Sequence, residues 1–450
     1  MPTPRIVIIG AGPAGEAAAR IAIARGSEVL LIEKEFMGGL CLNWGCIPSK
    51  ALLETVRKLR DARHGGPFGL NAQSAGIDWK TLLVQKAQIV AGLRLLLQNH
   101  LKTQGVQATS GEARFTSDKE IVISDKGTEL SVRFDKAIIA GGTVPLFPTP
   151  FDSRKGVLLD NSKALDLPTV PRSLVIVGGG AVGCEFACLF RELGTEATII
   201  EKTAGLLPGE DPHVVQTLRN SFESRGIRVL TEATVDALAG GPGQWSLCLA
   251  NGETLQAEQI LVSIGRAPDL AGLALDKAGV DSTPRGITVN ERQETNRPNI
   301  YAAGDVTGTT RLAHAAARQG EVAALNATGG SAVYDGRLVP RCLYTWPEVA
   351  SVGSWAYEAE AKGVAVKTQR AFFKGSSTAL MEGHTEGFVQ VVSEKDSGKL
   401  LGAQIIGPDA SELIHIFSVA LEAGMTAGSL KSVIFAHPSL AETVREALSR

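Results

Sequence analysis

The sequence has few cysteines, few aromatic residues, no long apolar runs and almost no net charge. Six of its 450 residues are cysteine, 5% are aromatic, and the formal net charge at pH 7 is −2. A nearly neutral chain has no basic excess for nucleic acid or for an anionic membrane surface, so we expect neither as a partner. Because no uncharged apolar run reaches about 18 residues, no transmembrane helix is expected.

The cysteines are too few and too scattered for a disulfide framework. Four of them form neither such a framework nor a paired zinc motif: Cys184, Cys188, Cys248 and Cys342. We therefore expect no metal site and a cytoplasmic location, where a lone disulfide is more often catalytic than structural. The N-terminus leads directly into a predicted strand, so no signal peptide is expected.

Glycine, by contrast, is abundant. Fifty glycines with few aromatic residues are typical of an α/β protein with many tight turns from strand to helix. A length of 450 residues predicts two to four domains, because single cores stop growing well below this size.

The first glycine cluster follows a predicted buried strand at 5–9 and opens an alanine-rich helix. Gly10, Gly12 and Gly15 permit a tight turn, close approach of a pyrophosphate and close packing of the helix on the strand. The helix N-terminus supplies N–H groups for the phosphates. Glu33 ends the next strand, where it would accept hydrogen bonds from ribose hydroxyls. This combination predicts a dinucleotide site.

The same unit recurs after a predicted strand at 173–177, with Gly178, Gly180 and Gly183 as its glycines. Glu201 follows Gly178 by 23 residues, the interval that also separates Glu33 from Gly10. Two complete fingerprints predict two bound dinucleotides and two Rossmann-like domains.

The remaining chain shows further elements. We predict a long amphipathic helix at 77–103, a hairpin or small sheet at 113–134, strands at 137–143 and 299–305, and a boundary at the proline-rich 145–150. The second module is predicted to close at 260–268. From about residue 334, alternating apolar strands (388–392 and 400–406) and two helices predict a separate antiparallel α+β domain.

Cys41 and Cys46 are separated by four residues. In a regular helix such positions lie about 140° apart and rise about 7.5 Å, whereas a disulfide requires Cα atoms about 4.4–6.8 Å apart. The pair can bridge only if the segment is distorted, which Gly45 facilitates. A bridge of this kind opens and closes. On spacing alone, two buried cysteines that never meet remain an equal alternative.

Two dinucleotides and a cysteine pair indicate an electron relay from nicotinamide through flavin and disulfide to an external dithiol or disulfide. Lys50 and a helix beginning near residue 48 would favour a thiolate. The thiols also need a base, and His437 with Glu442 is the best candidate, although such a pair is usually an ordinary surface pair.

Several motifs carry a family resemblance: residues 38–53, both fingerprints, 302–305, 312–314, 344–349 and 437–438. With them the chain resembles the flavin-disulfide (pyridine nucleotide-disulfide) oxidoreductases over essentially its whole length, and most nearly the dihydrolipoamide dehydrogenases. Within that pattern, Leu40 and Trp44 depart from the usual residues around the cysteines.

The resemblance implies the fold and the reaction. It implies an FAD-binding domain at 1–144, an NAD-binding domain at 145–268, a return to the FAD-binding domain at 269–335 and a C-terminal α+β dimerisation domain at 336–450. The implied enzyme is a homodimer that oxidises dihydrolipoamide on a lipoylated carrier protein or lipoyl domain, with FAD and NAD as cofactors.

The resemblance also implies roles around the cysteines. Cys41 would be the interchange thiol that attacks substrate, and Cys46 would be the thiolate lying against the flavin. Lys50 would sit near the reactive flavin nitrogen, paired with Glu185. His437 and Glu442 would act across the dimer, on the cysteine pair of the other subunit.

The implied cofactor contacts lie elsewhere in the chain. Asp305, with Gly304 before it and Ala313 beyond it, would hold the flavin and its ribityl chain. Glu201 would bind the NAD ribose, and Gly265 would border the nicotinamide nucleotide.

Two kinds of alternative remain. Glutathione reductase-like and mercuric reductase-like enzymes share the relay, but Glu201 would repel a 2′-phosphate and thus favours NAD over NADP. The sequence also ends without a terminal cysteine pair for a soft metal. The other alternative is a docked flavoprotein or redox sensor with little free turnover, whose association would be non-covalent because no lipoyl-domain extension precedes the first strand.

Overall fold

A computed structural model describes residues 4–450. The chain forms two compact units. The first unit contains residues 4–146, 161–169 and 265–336, and the second unit contains 147–160, 170–264 and 337–450. The predicted division into four domain segments stays a prediction.

The strands of the described part are, in chain order, β1 (Arg5–Ile9), β2 (Glu28–Glu33), β3 (Gln107–Ser110), β4 (Glu112–Ser117), β5 (Glu120–Asp125), β6 (Thr128–Arg133), β7 (Lys136–Ile139), β8 (Thr143–Pro145), β9 (Ser173–Val177), β10 (Glu196–Ile200), β11 (Arg228–Leu230), β12 (Val235–Gly241), β13 (Gln244–Leu249), β14 (Thr254–Ala257), β15 (Gln259–Val262), β16 (Arg266–Pro268), β17 (Ser282–Thr283), β18 (Gly286–Ile287), β19 (Ile300–Ala302), β20 (Arg341–Leu343), β21 (Glu348–Gly353), β22 (Val366–Phe372), β23 (Phe388–Glu394) and β24 (Leu400–Gly407).

The α-helices of the same residues are α1 (Pro13–Ala24), α2 (Gly39–Trp44), α3 (Cys46–His64), α4 (Trp79–Thr103), α5 (Asn161–Leu165), α6 (Ala181–Glu192), α7 (Pro212–Ser224), α8 (Leu275–Ala278), α9 (Ala313–Ala327), α10 (Ala356–Ala361), α11 (Ser377–Glu382), α12 (Ala410–Glu422), α13 (Ala427–Lys431) and α14 (Glu442–Ala447).

The first unit is built on a five-stranded sheet in the order β19-β7-β1-β2-β3. Every pairing in it is parallel. Ile6 and Ile8 of β1 point into one apolar core, while Val7 and Ile9 point into another. A strand buried on both faces requires the near-continuous apolar run that the sequence shows there. The predicted small sheet at 113–134 is confirmed as β4-β5-β6.

Helices α1 and α9 pack against each other on one face of this sheet. Their contact depends on Gly320, because a Cβ atom at that position would lie 2.0 Å from the carbonyl oxygen of Ala14. The backbones therefore approach more closely than any larger residue permits. This contact fixes the N-terminus of α9 relative to the glycine loop that precedes α1.

The second unit contains the second dinucleotide-type sheet, a four-stranded parallel array in the order β11-β10-β9-β15. Trp245, which is 1% exposed, fills the core between this array and the antiparallel sheet β12-β13-β14. The repeat of strand, glycine turn, helix and strand predicted from the second fingerprint is confirmed.

The C-terminal part of the second unit is an antiparallel sheet in the order β20-β21-β24-β23-β22, covered by α12. The predicted α+β texture is confirmed. The predicted number of helices, two, was too low, because this part of the chain contains α10, α11, α13 and α14 in addition to α12. Each of these four has only five or six residues, too short for apolar periodicity to reveal it. Within residues 4–450, no helix is both long and apolar enough to cross a membrane.

We expect Gly320→Ala to lower the free energy of unfolding by about 1–3 kcal/mol, because the added methyl group overpacks the contact between α1 and α9. Gly92→Ala is the matched control. Gly92 lies in α4, and nothing lies within 4 Å of a Cβ built there, so its replacement should stabilise the chain by about 0.5–1 kcal/mol. Thermal unfolding of both holoenzymes measures the difference, and equal midpoints would contradict the packing argument.

Candidate active site

The first fingerprint turns tightly between β1 and α1. Gly10 has φ +101°, which favours glycine, and a Cβ on Gly15 would lie 1.8 Å from the carbonyl oxygen of Gly10. Gly12 differs from both, since the nearest atom to a Cβ there is the Cα of Gly39 at 3.8 Å. The side of the loop at Gly12 is therefore open, which fits the approach of a pyrophosphate group.

The second fingerprint repeats this geometry between β9 and α6. Gly178 has φ +108°, and a Cβ on Gly183 would lie 1.9 Å from the carbonyl oxygen of Gly178. At Gly180 nothing lies within 4 Å of such an atom. Gly265 also has positive φ, +126°, and lies in the first unit, between β15 and β16. The open Gly180 fits a second pyrophosphate in the same way as Gly12 fits the first.

Each acid of the two fingerprints is tied to its own glycine loop. Glu33 accepts a hydrogen bond from the N–H of Ala11 at 2.8 Å, and Glu201 accepts one from the N–H of Gly179 at 2.8 Å. Glu201 also accepts from the N–H and the hydroxyl of Thr203, both at 2.8 Å. The carboxylates therefore shape the loops in addition to offering lone pairs to a ribose.

A cavity of about 480 Å³ lies beside Glu33 in the first unit. Its lining combines an acid, amide and hydroxyl groups with apolar side chains, a mixture that suits the adenosine end of a dinucleotide. Its lining residues are Glu33, Glu35, Phe36, Met37, Gln98, Leu101, Lys102, Val106, Ala108, Thr109 and Ser110. Apart from Glu33, sequence reasoning had not identified these residues, because they come from the loop after β2, from α4, and from β3 and the residue that precedes it, which carry no motif.

Asp305 begins a 3₁₀ turn directly after β19. Burial raises the pKa of its carboxyl group, whereas the hydroxyl of Thr143 and the charges of Arg266 and Arg311 act in the opposite direction. The N–H of Gly304 donates to the buried amide of Gln319 on α9 at 2.7 Å.

Ala313 is the first residue of α9. The structure thus brings Gly304 and Asp305 to the end of a strand in the same sheet as β1, which is where open α/β sheets bind ligands.

The cysteine segment starts on the first fingerprint. The N–H of Gly38 donates to the carbonyl of Ala11 at 2.8 Å, and a Cβ on Gly39 would lie 2.8 Å from the Cα of Gly12. Helix α2 begins at Gly39, so its backbone rests directly on the dinucleotide loop. This contact places the cysteines beside the first cofactor site.

The predicted distortion between the cysteines lies at Gly45, which has φ −129° and ψ −112°. Helix α2 ends at Trp44 and α3 begins at Cys46. The break therefore separates the helix that contains Cys41 from the helix that begins with Cys46. A Cβ on Gly45 would lie 3.0 Å from the carbonyl oxygen of Leu40. The chain therefore folds back on itself and brings Cys46 towards Cys41. The helix was predicted to begin near residue 48, and it begins two residues earlier, at Cys46.

The two half-buried thiols interact directly. A hydrogen bond to Cys46, together with burial and the charge of Cys46, raises the pKa of Cys41 well above its ordinary value. The backbone N–H of Cys46 and the ammonium group of Lys50 act in the opposite direction. This arrangement disfavours the thiolate form of Cys41.

Asn43 holds the segment between the cysteines from one side. Its buried side-chain amide donates to the carbonyls of Met37 and Gly39 at 3.1 and 2.8 Å. Its oxygen accepts from Nε of Arg94 at 2.9 Å, and the guanidinium of Arg94 lies 4.1 Å above the ring of Phe36. Helix α4 is therefore anchored to α2 by a side chain that sequence analysis did not select.

Trp44 packs beside Phe36, the ring that the guanidinium of Arg94 covers. Its ring lies 5.8 Å from that of Phe36, at an interplanar angle of 54°. Trp44, which departs from the usual residue of the family, thus adds an aromatic contact next to the cysteines. Its carbonyl accepts a hydrogen bond from Nδ2 of Asn161 at 2.6 Å.

The second unit brings His437 and Glu442 together. Nδ1 of His437 lies 3.0 and 3.1 Å from the two carboxylate oxygens of Glu442. The hydrogen bond from His437 and the N–H of Ser439 lower the pKa of Glu442. Nδ1–H therefore donates to the carboxylate, and the His437 side chain is 74% exposed.

Glu185 is buried in α6 and is 5% exposed. Its carboxylate accepts a hydrogen bond from the N–H of Tyr344 at 3.1 Å. Sequence reasoning missed this link to the motif at 344–349. No local signal points to it, because the two residues lie far apart in the chain.

Curated proteins and solved structures resemble the chain along its whole length. Dihydrolipoyl dehydrogenase from Bacillus subtilis is 39% identical over 98% of this chain and 97% of its own. The Geobacillus stearothermophilus protein of that name is 36% identical over 98% and 94%. LpdA from Mycobacterium tuberculosis superposes with a TM-score of 0.93 at 27% identity, over 99% of both chains. The flavoprotein disulfide reductase RclA from Escherichia coli gives 0.90 at 25%, over 100% and 99%.

Family comparison covers both units. Residues 4–320 match the family described as pyridine nucleotide-disulphide oxidoreductase, and residues 339–448 match its dimerisation domain. The predicted fold class, the cofactors FAD and NAD, and the homodimer are thereby confirmed. The chain belongs to the pyridine nucleotide-disulphide oxidoreductase family.

Proposed function

We propose that this enzyme oxidises protein-bound dihydrolipoamide to lipoamide and reduces NAD. The observation that carries the proposal is the packing of the cysteine segment on the first fingerprint, with the two thiols in contact. When bound, FAD supplies the two-electron chemistry that connects the nicotinamide to the cysteine pair. Gly12, Glu33 and Asp305 would hold FAD, and Gly180 and Glu201 would hold NAD.

The cysteine chemistry is thiol–disulfide exchange. A substrate thiolate attacks the sulfur of Cys41, the bond between Cys41 and Cys46 breaks, and Cys46 leaves as a thiolate. The second substrate thiolate then attacks the substrate sulfur of the mixed disulfide and releases Cys41. The substrate loses two electrons and two protons, and the enzyme gains the electrons as a dithiol.

The charges of the cysteine site support these roles. A hydrogen bond to Cys46 raises the pKa of Cys41, which supports Cys46 as the leaving group and the resident thiolate. The ammonium group of Lys50 stabilises negative charge on the pair. We propose that Glu185 acts by holding the backbone of the motif at 344–349, through the N–H of Tyr344.

His437 is proposed as the base that takes the substrate protons. Its imidazole is exposed, and Glu442 fixes the ring through Nδ1, so that Nε2 faces outward. This orientation is what a proton-transfer residue requires. We propose that the pair acts on the cysteines of the other subunit of the homodimer.

The physiological substrate is proposed to be a lipoylated carrier protein or lipoyl domain, in the cytoplasm. Support comes from relatives named dihydrolipoyl dehydrogenase at 35–39% identity and from Glu201, whose charge opposes the 2′-phosphate of NADP. The enzyme should form NADH faster with lipoylated carriers than with free dihydrolipoamide at equal concentration. A panel of such carriers tests this, and turnover with glutathione disulfide alone would favour the glutathione reductase-like alternative.

The cysteine roles predict distinct spectra for two variants. Cys41→Ser leaves Cys46 as a thiolate beside the flavin, so this holoenzyme should show a long-wavelength charge-transfer band. Cys46→Ser should lack the band, and both variants should lose dithiol turnover. Cys248→Ser, which changes an exposed cysteine of the second unit, should behave as wild type. Absorption spectra decide the assignment, and a band in Cys46→Ser alone would reverse it.

Glu201 predicts cofactor selectivity. Glu201→Ala should narrow the preference for NAD over NADP by about 1–3 kcal/mol, because it removes the repulsion of the phosphate. It should also weaken NAD binding, since Gly179 and Thr203 lose their acceptor. Glu196→Ala removes an exposed acid from β10, the strand that precedes Glu201, and should leave the ratio unchanged. The kcat/KM values for both nucleotides measure the effect, and an unchanged ratio in Glu201→Ala would contradict it.

His437→Gln should lower kcat for dihydrolipoamide oxidation by about 10²–10⁴, the contribution typical of a general base. Reduction of a small dye by NADH bypasses the dithiol and should stay near the wild-type rate. His213→Gln alters another exposed histidine of the second unit and should change neither rate. A parallel loss of both activities in His437→Gln would point to a structural defect instead of a missing base.

A further inference from the structure

One side chain from a distant part of the first unit holds the peptide between the two cysteines. Nδ2 of Asn161 donates to the carbonyl of Trp44 at 2.6 Å. Trp44 is the last residue of α2, and the break at Gly45 follows it. The amide of Asn161 therefore binds the backbone at the point where the chain turns from Cys41 towards Cys46.

The orientation of this amide is fixed by Arg266. Nη1 of Arg266 donates to Oδ1 of Asn161 at 3.0 Å. Because a guanidinium group can only donate hydrogen bonds, the amide oxygen must face Arg266 and the NH₂ group must face Trp44. Arg266 is anchored in turn by the hydroxyl and the carbonyl of Thr143, at 2.9 and 2.7 Å.

The segment that carries Asn161 is also held in place. Residues 161–169 belong to the first unit, although the residues on both sides of them belong to the second. Nε1 of Trp79 donates to the carbonyl of Leu167 at 2.8 Å. Lys86, which is 5% exposed, donates to the carbonyl of Leu165 at 2.7 Å and pairs with Asp166. A buried lysine needs such partners, so α4 binds this segment firmly.

We propose that Asn161 is a positioning residue for the Cys41–Cys46 pair and sets its disulfide–dithiol equilibrium. This inference rests on the proposed function, in which the pair opens and closes. A disulfide forms only within a narrow range of Cα separations. The hydrogen bond from Asn161 holds the peptide at the break in the conformation that keeps the sulfurs in contact, and so favours closure.

The direction of the effect follows from what remains when Asn161 is changed. Arg94 and Asn43 still hold the other side of the segment, so α2 stays folded while the peptide at Gly45 gains freedom. The equilibrium constant for closing the disulfide should then fall about 3- to 10-fold, the range set by one hydrogen bond. That change corresponds to a midpoint potential about 15–30 mV less negative.

The experiment equilibrates holoenzymes with mixtures of reduced and oxidised dithiothreitol. Closure of the pair gives two electrons and two protons to oxidised dithiothreitol. After acid quenching and alkylation, mass spectrometry of the peptide that holds both cysteines gives the disulfide fraction. The variants are Asn161→Ala and Asn161→Asp, since aspartate keeps the acceptor for Arg266 and loses the donor to Trp44, while its added negative charge lies against the guanidinium of Arg266. Asn326→Ala, which removes a buried amide that likewise donates to backbone carbonyls of the first unit, is the matched control.

Both Asn161 variants should shift the midpoint upward, while Asn326→Ala should keep the wild-type value. A shift in Asn161→Ala without one in Asn161→Asp would overturn the role of the donor, and so would an equal shift in the control. If Asn161→Ala does not fold, Asn161→Asp carries the test. A wild-type enzyme that never forms the disulfide would overturn the proposed function itself, whereas a reversible wild-type disulfide with no shift in the variants would overturn only the inference.

Discussion

A contact between two backbones sets the arrangement of the catalytic machinery. The first fingerprint and the cysteine segment meet at Ala11–Gly38 and at Gly12–Gly39, with no side chain between them. Because this contact leaves no room for a Cβ on Gly39, the start of α2 has a single position relative to the dinucleotide loop. The cysteines, which follow within one or two turns, inherit that position. A redox-active pair must lie within reach of its cofactor, and here the main chain alone provides the distance.

Around this contact the chain uses side-chain amides as clamps. Asn43 ties α2 to α4 through Arg94, and Asn161 ties its last carbonyl to Arg266. Both clamps pair an amide, which donates and accepts at once, with a guanidinium group, which only donates. Each amide therefore has one defined orientation. Such fixed orientation suits a segment that has to break and re-form a covalent bond without losing its shape.

The sequence predicted those parts whose signals are local. Glycine spacing and flanking strands identified both dinucleotide folds, and the need for a distorted helix identified the break at Gly45. His437 and Glu442 were paired correctly because they lie five residues apart. The roles of Asn161 and Arg94 could not be predicted, because the residues that they contact are far away in the chain. The cavity beside Glu33 could not be predicted either, because its lining comes from separate segments and no motif marks them. The short C-terminal helices also escaped prediction, because one or two turns give no periodic apolar pattern.

The two fingerprint acids share a pattern with consequences for changing cofactor use. Glu33 and Glu201 each accept from an N–H of the glycine loop and from an N–H two residues further along the chain, that of Glu35 and of Thr203 respectively. Glu201, which we propose discriminates between NAD and NADP, thus also accepts the hydrogen bonds that hold its glycine loop. Specificity and local order are carried by one carboxylate. An engineered or evolved switch to NADP therefore needs two replacements in this protein: a cation for the phosphate, and a new acceptor for the loop that the departing acid leaves without a partner.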